Sequence, residues 1–356
     1  MAYGNEIDPE PRLPLGRLQK FLIGAIAVLA GLLVGVVAYS LIHGGEKTAA
    51  VATTQHHRAI HRELGHPPTR TSLPPASAGN NGSSTPPTGS TSGSSAVLSQ
   101  GAQASFSALS ESLSANIGLA VAPMGSGSPQ QLGEFQVGHA WSSIKVPILV
   151  TLMRERPNGL SAEEQQWATA ALTASDNGAA ASLFHQLEQS HGGLAGASQA
   201  VQQVLAESGD TTTVVATAPP PPGAVSSYGQ TEWSLQGSVD FYRALACDHL
   251  LDPAGTEYVL NLMEQVISEQ RWGLGEAGFP SGVRVAFKAG WGPEGSASGP
   301  YLVRQAGILR KGNSGVVVTM MVEDESGSFE AGVSDLNQIA GWLREHLGSL
   351  NTGSCS

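Results

Sequence analysis

Cysteine is nearly missing from this 356-residue chain: Cys247 and Cys355 are the only two, so neither a disulfide framework nor a four-thiolate zinc site can form, and at most one bridge exists. Charge is sparse too. Charged residues make up 13% of the chain, 18 basic against 29 acidic, for a formal net charge of -11. From Ser99 onward the deficit deepens to about 11 basic against 24 acidic side chains. That argues against a nucleic-acid partner, because phosphate binding needs a cationic face that releases counterions. Apolar residues are not lacking. At 41% hydrophobic the chain is too apolar to be disordered throughout, and its length allows one good-sized domain plus accessory segments.

Seven of the 18 basic residues lie in the first 98 positions. Arg12, Arg17 and Lys20 precede FLIGAIAVLAGLLVGVVAYSLI, residues 21–42, which carries no charge. About 22 residues at the helical rise span roughly 30 Å of hydrocarbon, so this segment reads as a transmembrane helix. Only Lys47 follows closely, and the positive-inside bias places residues 1–20 in the cytoplasm as a short tail and everything after residue 43 outside. A cleaved signal peptide, with Ala38 and Ser40 as its small-x-small site, is the competing reading, but the apolar core is long for one. Gly31 and Gly35 form a GxxxG pair, which with the tether that follows is the support for a third role as an anchor packing against membrane partners.

Residues 43–98 contain PPTRTSLPPASAGNNGSSTPPTGSTSGSS, which has almost nothing to bury and is expected to stay disordered as a tether holding a folded domain off the bilayer. Within it His43, His56, His57, His61 and His66 crowd together. No carboxylate or Cys stands at ligand spacing, so a solvated linker is expected there and no metal site. From residue 99 to about 350 the periodicity changes to that of a folded domain, and 351–356 is a tail.

An amphipathic helix is expected over AQASFSALSESLSAN, then a hairpin of IGLAVAPM and QLGEFQVG around the turn GSGS. A helical middle follows, with starts at Ser161 (a capping box), Asn177, Gly193, Ser234 and Gly255. Strands return with GVRVAFKAG, then YLVRQAGIL and GVVVTMMVE around RKGNS, before a last helix from Phe329 to Leu347. Strands at both ends with helices between them give an α+β fold, an antiparallel sheet covered by helices plus an all-helical lobe.

Three short motifs stand in order: Ser142-Ser143-Ile144-Lys145, Ser175-Asp176-Asn177 and Lys288-Ala289-Gly290. Each alone is weak, but together they are specific. A serine at a helix start and a lysine three residues on share one face. The lysine serves as base to the serine once burial and neighbouring cations lower its pKa. Ser142 attacks, Lys145 takes the proton, and the N–H groups of Ser142 and Trp291 face the developing oxyanion. Ser175 would shuttle a proton to the leaving group, Asn177 would hold a substrate amide, and Lys288 would supply positive potential for a substrate carboxylate.

In this order the motifs resemble those of the penicillin-recognising serine hydrolases, most closely the class A β-lactamases, over residues 100 to 350. The resemblance implies a β-lactamase/transpeptidase-like two-lobed fold, no cofactor, and a cell-wall peptide or β-lactam-like small molecule as partner. Ser142 and Lys145 match the acylated serine and its base, Ser175 and Asn177 the middle motif, and Lys288 and Gly290 the strand motif. Two departures qualify the match. Ala289 stands where the family has Thr or Ser, removing a hydroxyl worth about 1.5–3 kcal/mol to a bound carboxylate. The E-x-x-L-N loop that carries the deacylating glutamate has no clean copy; Glu232 and Glu207 are poor substitutes, and the stretch between them, GDTTTVVATAPPPPGAVSSYG, is long and Pro-rich.

The expectation is a single-pass membrane protein whose extracytoplasmic domain forms an acyl-enzyme on Ser142 and deacylates slowly, so efficient β-lactamase activity is not expected. The alternative is a catalytically degenerate module that keeps the fold for binding or scaffolding at the cell envelope.

Overall fold

The computed structural model describes residues 96–220, 224–295 and 299–355. The expected cytoplasmic tail, transmembrane helix 21–42, histidine cluster and nearly all of the linker lie outside these residues. Among the described residues no helix is long and apolar enough to cross a membrane, and no cluster of His, Cys, Asp or Glu is placed to hold a metal ion.

Among the described residues eight α-helices and eight strands follow one another as α1 (Gln100–Ser112), β1 (Ala115–Pro123), β2 (Gln130–Leu132), β3 (Val137–His139), α2 (Lys145–Arg154), α3 (Ala162–Thr173), α4 (Asn177–His191), α5 (Leu194–Glu207), β4 (Glu232–Ser234), α6 (Leu235–Ala246), α7 (Pro253–Glu264), β5 (Arg284–Pro293), β6 (Tyr301–Lys311), β7 (Ser314–Asp324), α8 (Phe329–His346) and β8 (Gly353–Ser354). The main sheet is antiparallel in the order β2-β1-β7-β6-β5, with β8 added at the start of β7. Its two faces bury different cores. Ile117, Leu119 and Val121 of β1 point to α1 and α8, where Phe106, Leu336, Ile339 and Leu343 meet them. Ala120 and Ala122 point to the other face, against the core of α2 to α7. This is the helix-covered sheet with a helical lobe that the element pattern implies.

Most helix starts follow from their caps. Ser161 and Glu164 form the capping box of α3, Asp176 caps α4, and Ser234 caps α6. The helix expected near Gly255 begins two residues earlier, because Asp252 accepts from the Gly255 N–H and Pro253 takes the first helical position. The first helix ends at Ser112, short of the expected stretch, since β1 claims Ala115 and Asn116 for its ladder with β7. The expected second hairpin strand splits. Its start, β2, pairs with β1, but Gly133 turns away with φ of 78°, and β3 pairs instead with β4 in a separate two-stranded ribbon.

That ribbon is held under the sheet by Arg304 of β6, fully buried, whose guanidinium donates to the carbonyls of Gly138 (3.0 Å), His139 (3.2 Å) and Trp233 (3.0 Å) and to Ser238 Oγ (2.8 Å). Cys247, after α6, is bridged to Cys355, 108 residues on. The segment that enters the domain is fastened nearby in sequence terms to the same end: Asn351 N–H donates to the Val97 carbonyl (3.1 Å), and Val97 and Leu98 are buried.

Candidate active site

The chain leaves β3, and the N–H of Ala140 is fixed by the Thr231 carbonyl at 2.7 Å. Trp141 then adopts φ of 46°, the left-handed region that a bulky residue keeps only under constraint. Ser142 follows in a 3₁₀ turn, Trp141–Ile144, which runs into α2 at Lys145. The serine therefore sits one short turn ahead of the α-helix and does not cap it. Ser143 Oγ donates to the Ala140 carbonyl (2.6 Å) and closes the turn from inside. Strand β5 passes against it. A Cβ on Gly290 would lie 2.6 Å from the Ala140 carbonyl oxygen and 3.0 Å from the Ser142 nitrogen, so only glycine permits this approach.

Lys145 is 2% exposed, and its ammonium is surrounded by the start of α4. Nζ donates to the Ser175 carbonyl at 2.6 Å and to Asn177 Oδ1 at 2.8 Å, with the Asp176 carbonyl at 3.3 Å and Ser175 Oγ at 3.4 Å. Ser175 makes this possible by adopting φ of 56°, which turns its carbonyl inward. Burial lowers the Lys145 pKa to about 8, against the opposing pull of Asp176. Among the described residues no hydrogen bond joins Lys145 Nζ to Ser142 Oγ; the 3₁₀ turn sets the two on the same side of the chain, and such contacts commonly tighten only around a bound substrate.

Lys288 is not on an open strand face. It is 1% exposed, and its Nζ donates to Ser175 Oγ at 2.9 Å and to the Ala289 carbonyl at 3.0 Å. Burial and then the neighbouring Lys145 hold its pKa well below the ordinary lysine value. One serine hydroxyl thus stands between two buried amines, an arrangement suited to passing a proton. Ser142, Lys145, Ser175, Asn177, Lys288 and Gly290 are brought together, and Trp291 follows Gly290 on the strand beside the serine turn.

The side chain of Ala289 points the other way, into the core with Phe287 and beside Gln305, and is buried. Glu232 lies exposed on β4 opposite His139. Glu207 ends α5 and pairs with Arg154 at 2.5 Å, which lowers its pKa. Neither contacts the lysines. The segment 208–231 does contribute a buried carboxylate, Asp210, but both its oxygens are engaged: Oδ1 accepts from Thr212 and Thr213, Oδ2 from Trp233 Nε1 at 3.0 Å. Sequence reasoning passed over Arg304, Glu294, Trp141 and His139. The polar pair Arg304-Gln305 within an apolar strand run was the one signal available.

The beta-lactamase enzyme family model matches residues 151–347, which takes in the second and third motifs and starts just after Lys145. Among solved structures, the chain is similar to the chromosome-encoded beta-lactamase of Vibrio parahaemolyticus, at 17% identity and a TM-score of 0.55 over 69% of this chain and 98% of that one. It is similar to the class A beta-lactamase from Mycobacterium abscessus, at 18% identity and a TM-score of 0.54 over 69% and 99%. It is similar also to PBP-A, at 20% identity and a TM-score of 0.54 over 70% and 97%. A search of curated proteins by sequence gives no match. At such identities the structural likeness speaks for the fold, and the fold is the one the three motifs imply.

Proposed function

The chain belongs to the beta-lactamase enzyme family, and on that premise we propose that it is a membrane-anchored, extracytoplasmic serine hydrolase or acyl transferase that forms an acyl-enzyme on Ser142. Its substrate class is a cell-wall peptide or a β-lactam-like small molecule. The observation that carries this reading is the pair of buried amines on Ser175, one of them a single turn from Ser142 and depressed to about 8.

In the proposed reaction the free amine of Lys145 takes the proton as Ser142 Oγ adds to the substrate carbonyl. The N–H groups of Ser142 and Trp291 hold the oxyanion. As the carbon–nitrogen bond breaks, Ser175 Oγ gives its proton to the leaving nitrogen and is resupplied from Lys145. Lys288 keeps that hydroxyl oriented and supplies positive potential for a substrate carboxylate, while Asn177, its Oδ1 held by Lys145, offers its amide N–H to the substrate.

Deacylation needs a base for water, and Asp176 is the carboxylate that acts on Lys145 while itself capping α4 through the Ala179 N–H (2.6 Å). The acyl-enzyme is therefore expected to persist. PBP-A, one of the similar folds, has been captured as a variant in an acyl-enzyme complex with penicillin G. The bridge between Cys247 and Cys355 supports an oxidising, extracytoplasmic location, and the uncharged run 21–42 supports the anchor.

Incubation of the folded chain with a fluorescent penicillin, followed by intact mass measurement, tests the reading. One long-lived adduct with the mass of the whole probe is expected, absent from Ser142→Ala; a folded wild type that takes no adduct would sink it. The other reading, a degenerate binding module, predicts equal non-covalent binding by wild type and Ser142→Ala, with no adduct in either.

A further inference from the structure

We propose that Glu294 is a positioning residue for the nucleophile turn, clamping Trp141 and His139 to the end of β5 so that the N–H groups of Ser142 and Trp291 stay aimed at one point. This rests on the acylation of Ser142 proposed above and assigns a role to three residues outside the three motifs.

Trp141 directly precedes Ser142, and its φ of 46° is one that a tryptophan does not keep unless its surroundings over-determine it. The constraints are visible. Its ring lies flat on β5 over Gly292, where an added Cβ would come within 2.3 Å of the indole carbons. Its indole N–H donates to Glu294 Oε1 at 3.2 Å. The other oxygen of Glu294 pairs with His139 Nδ1, and the His139 and Trp141 rings meet edge to face with centroids 6.2 Å apart. One carboxylate three residues past Trp291 thus ties both ends of the approach to Ser142 onto the strand that supplies the second oxyanion donor. Remove it, and the indole N–H loses its partner while the left-handed turn loses one of the contacts that hold it, so the Ser142 amide drifts from its aim.

The charged groups facing His139 are Glu294, Glu232 across the ribbon on β4, and the Arg304 guanidinium, which donates to the His139 carbonyl. The bond to Glu294 raises the His139 pKa above 6.5, burial opposes it, Glu232 adds to the rise and Arg304 subtracts. A raised folded value means that the ion pair contributes fully below 6.5 and is lost as pH climbs through the folded pKa. The indole bond to Glu294 does not depend on the His139 proton.

The test compares the full chain as wild type, Glu294→Gln and Trp141→Phe. Three readouts are taken: the His139 imidazole titration by NMR, the Trp141 indole N–H resonance, and the acylation rate constant with a fluorescent penicillin, separated from its non-covalent dissociation constant. In Glu294→Gln the His139 pKa should fall toward 6.5 and the indole resonance should move. In both variants the acylation rate constant should drop by about tenfold at unchanged affinity and unchanged circular dichroism. An unmoved titration and resonance in Glu294→Gln would overturn the clamp, and so would an unchanged acylation rate constant in both folded variants. Should wild type take no label, the acylation reading falls on its own, and the two resonances still decide whether Glu294 holds the turn.

Discussion

The start of α4 and the segment 208–231 both bring buried polar groups toward the Ser142 turn, yet they leave them in opposite states. At α4, two lysines share a single hydroxyl and neither meets a carboxylate directly, so burial is resisted by depressing their pKa values. In 208–231 the buried carboxylate of Asp210 is saturated by threonine donors and by the Trp233 indole, and the Thr231 carbonyl is spent on the Ala140 N–H. Amines buried without a counter-ion are available for proton transfer; a carboxylate whose oxygens are all engaged holds structure. On the proposed reading, the first side serves acylation and the second supports it.

The contrast can be broken first at Lys145. Its replacement by Ala should slow labelling of Ser142 by a factor of about 10² to 10⁴, the usual weight of a positioned base, measured as the rate of adduct formation by intact mass. A loss smaller than about tenfold would mean that the buried amine is structural.

A second, milder probe is pH. With a pKa of about 8, Lys145 is roughly 1% free amine at pH 6 and half free at pH 8, so acylation should rise about fifty-fold over that interval and level off above it. The direction follows from the amine being active only when deprotonated. A flat profile across pH 6 to 9 would contradict the assignment. The smallest effect is expected on the supporting side: Glu232→Gln should leave both adduct formation and adduct release within about twofold of wild type, since the side chain is exposed on β4. Faster decay in wild type than in this variant would place a deacylating base where none is expected.

How much of this was readable beforehand differs by the range of the interaction. Ser142 with Lys145, and Ser175 with Asn177, are close in the chain, and short spacing encodes their shared face. Lys288 could be named only because its motif came third in a known order; its burial depended on α7, the Ser142 turn and Ser175 meeting β5, which no local pattern reports. The same is true of Arg304, whose acceptors come from β3 and from the distant stretch of β4 and α6, and of Glu294, which meets Trp141 across 153 positions. Helix starts were legible through their caps, as at Ser161 and Ser234, and missed by two residues where Asp252-Pro253 supplied a better one. The ribbon of β3 and β4 was not foreseen, because three-residue strands carry too little periodicity to separate them from a hairpin.

The bridge from Cys247 to Cys355 encloses a covalent ring that contains Lys288, Trp291 and Glu294 but excludes Ser142, Lys145 and Ser175. Oxidation therefore restricts the unfolded wanderings of one contributor to the reaction centre and not the other, worth roughly 4–5 kcal/mol for a ring of this size. A preparation kept with a strong thiol reductant should consequently lose the strand-borne contributor to unfolding at lower denaturant, and a comparison of oxidised and reduced samples would separate the two halves of the machinery by their resistance.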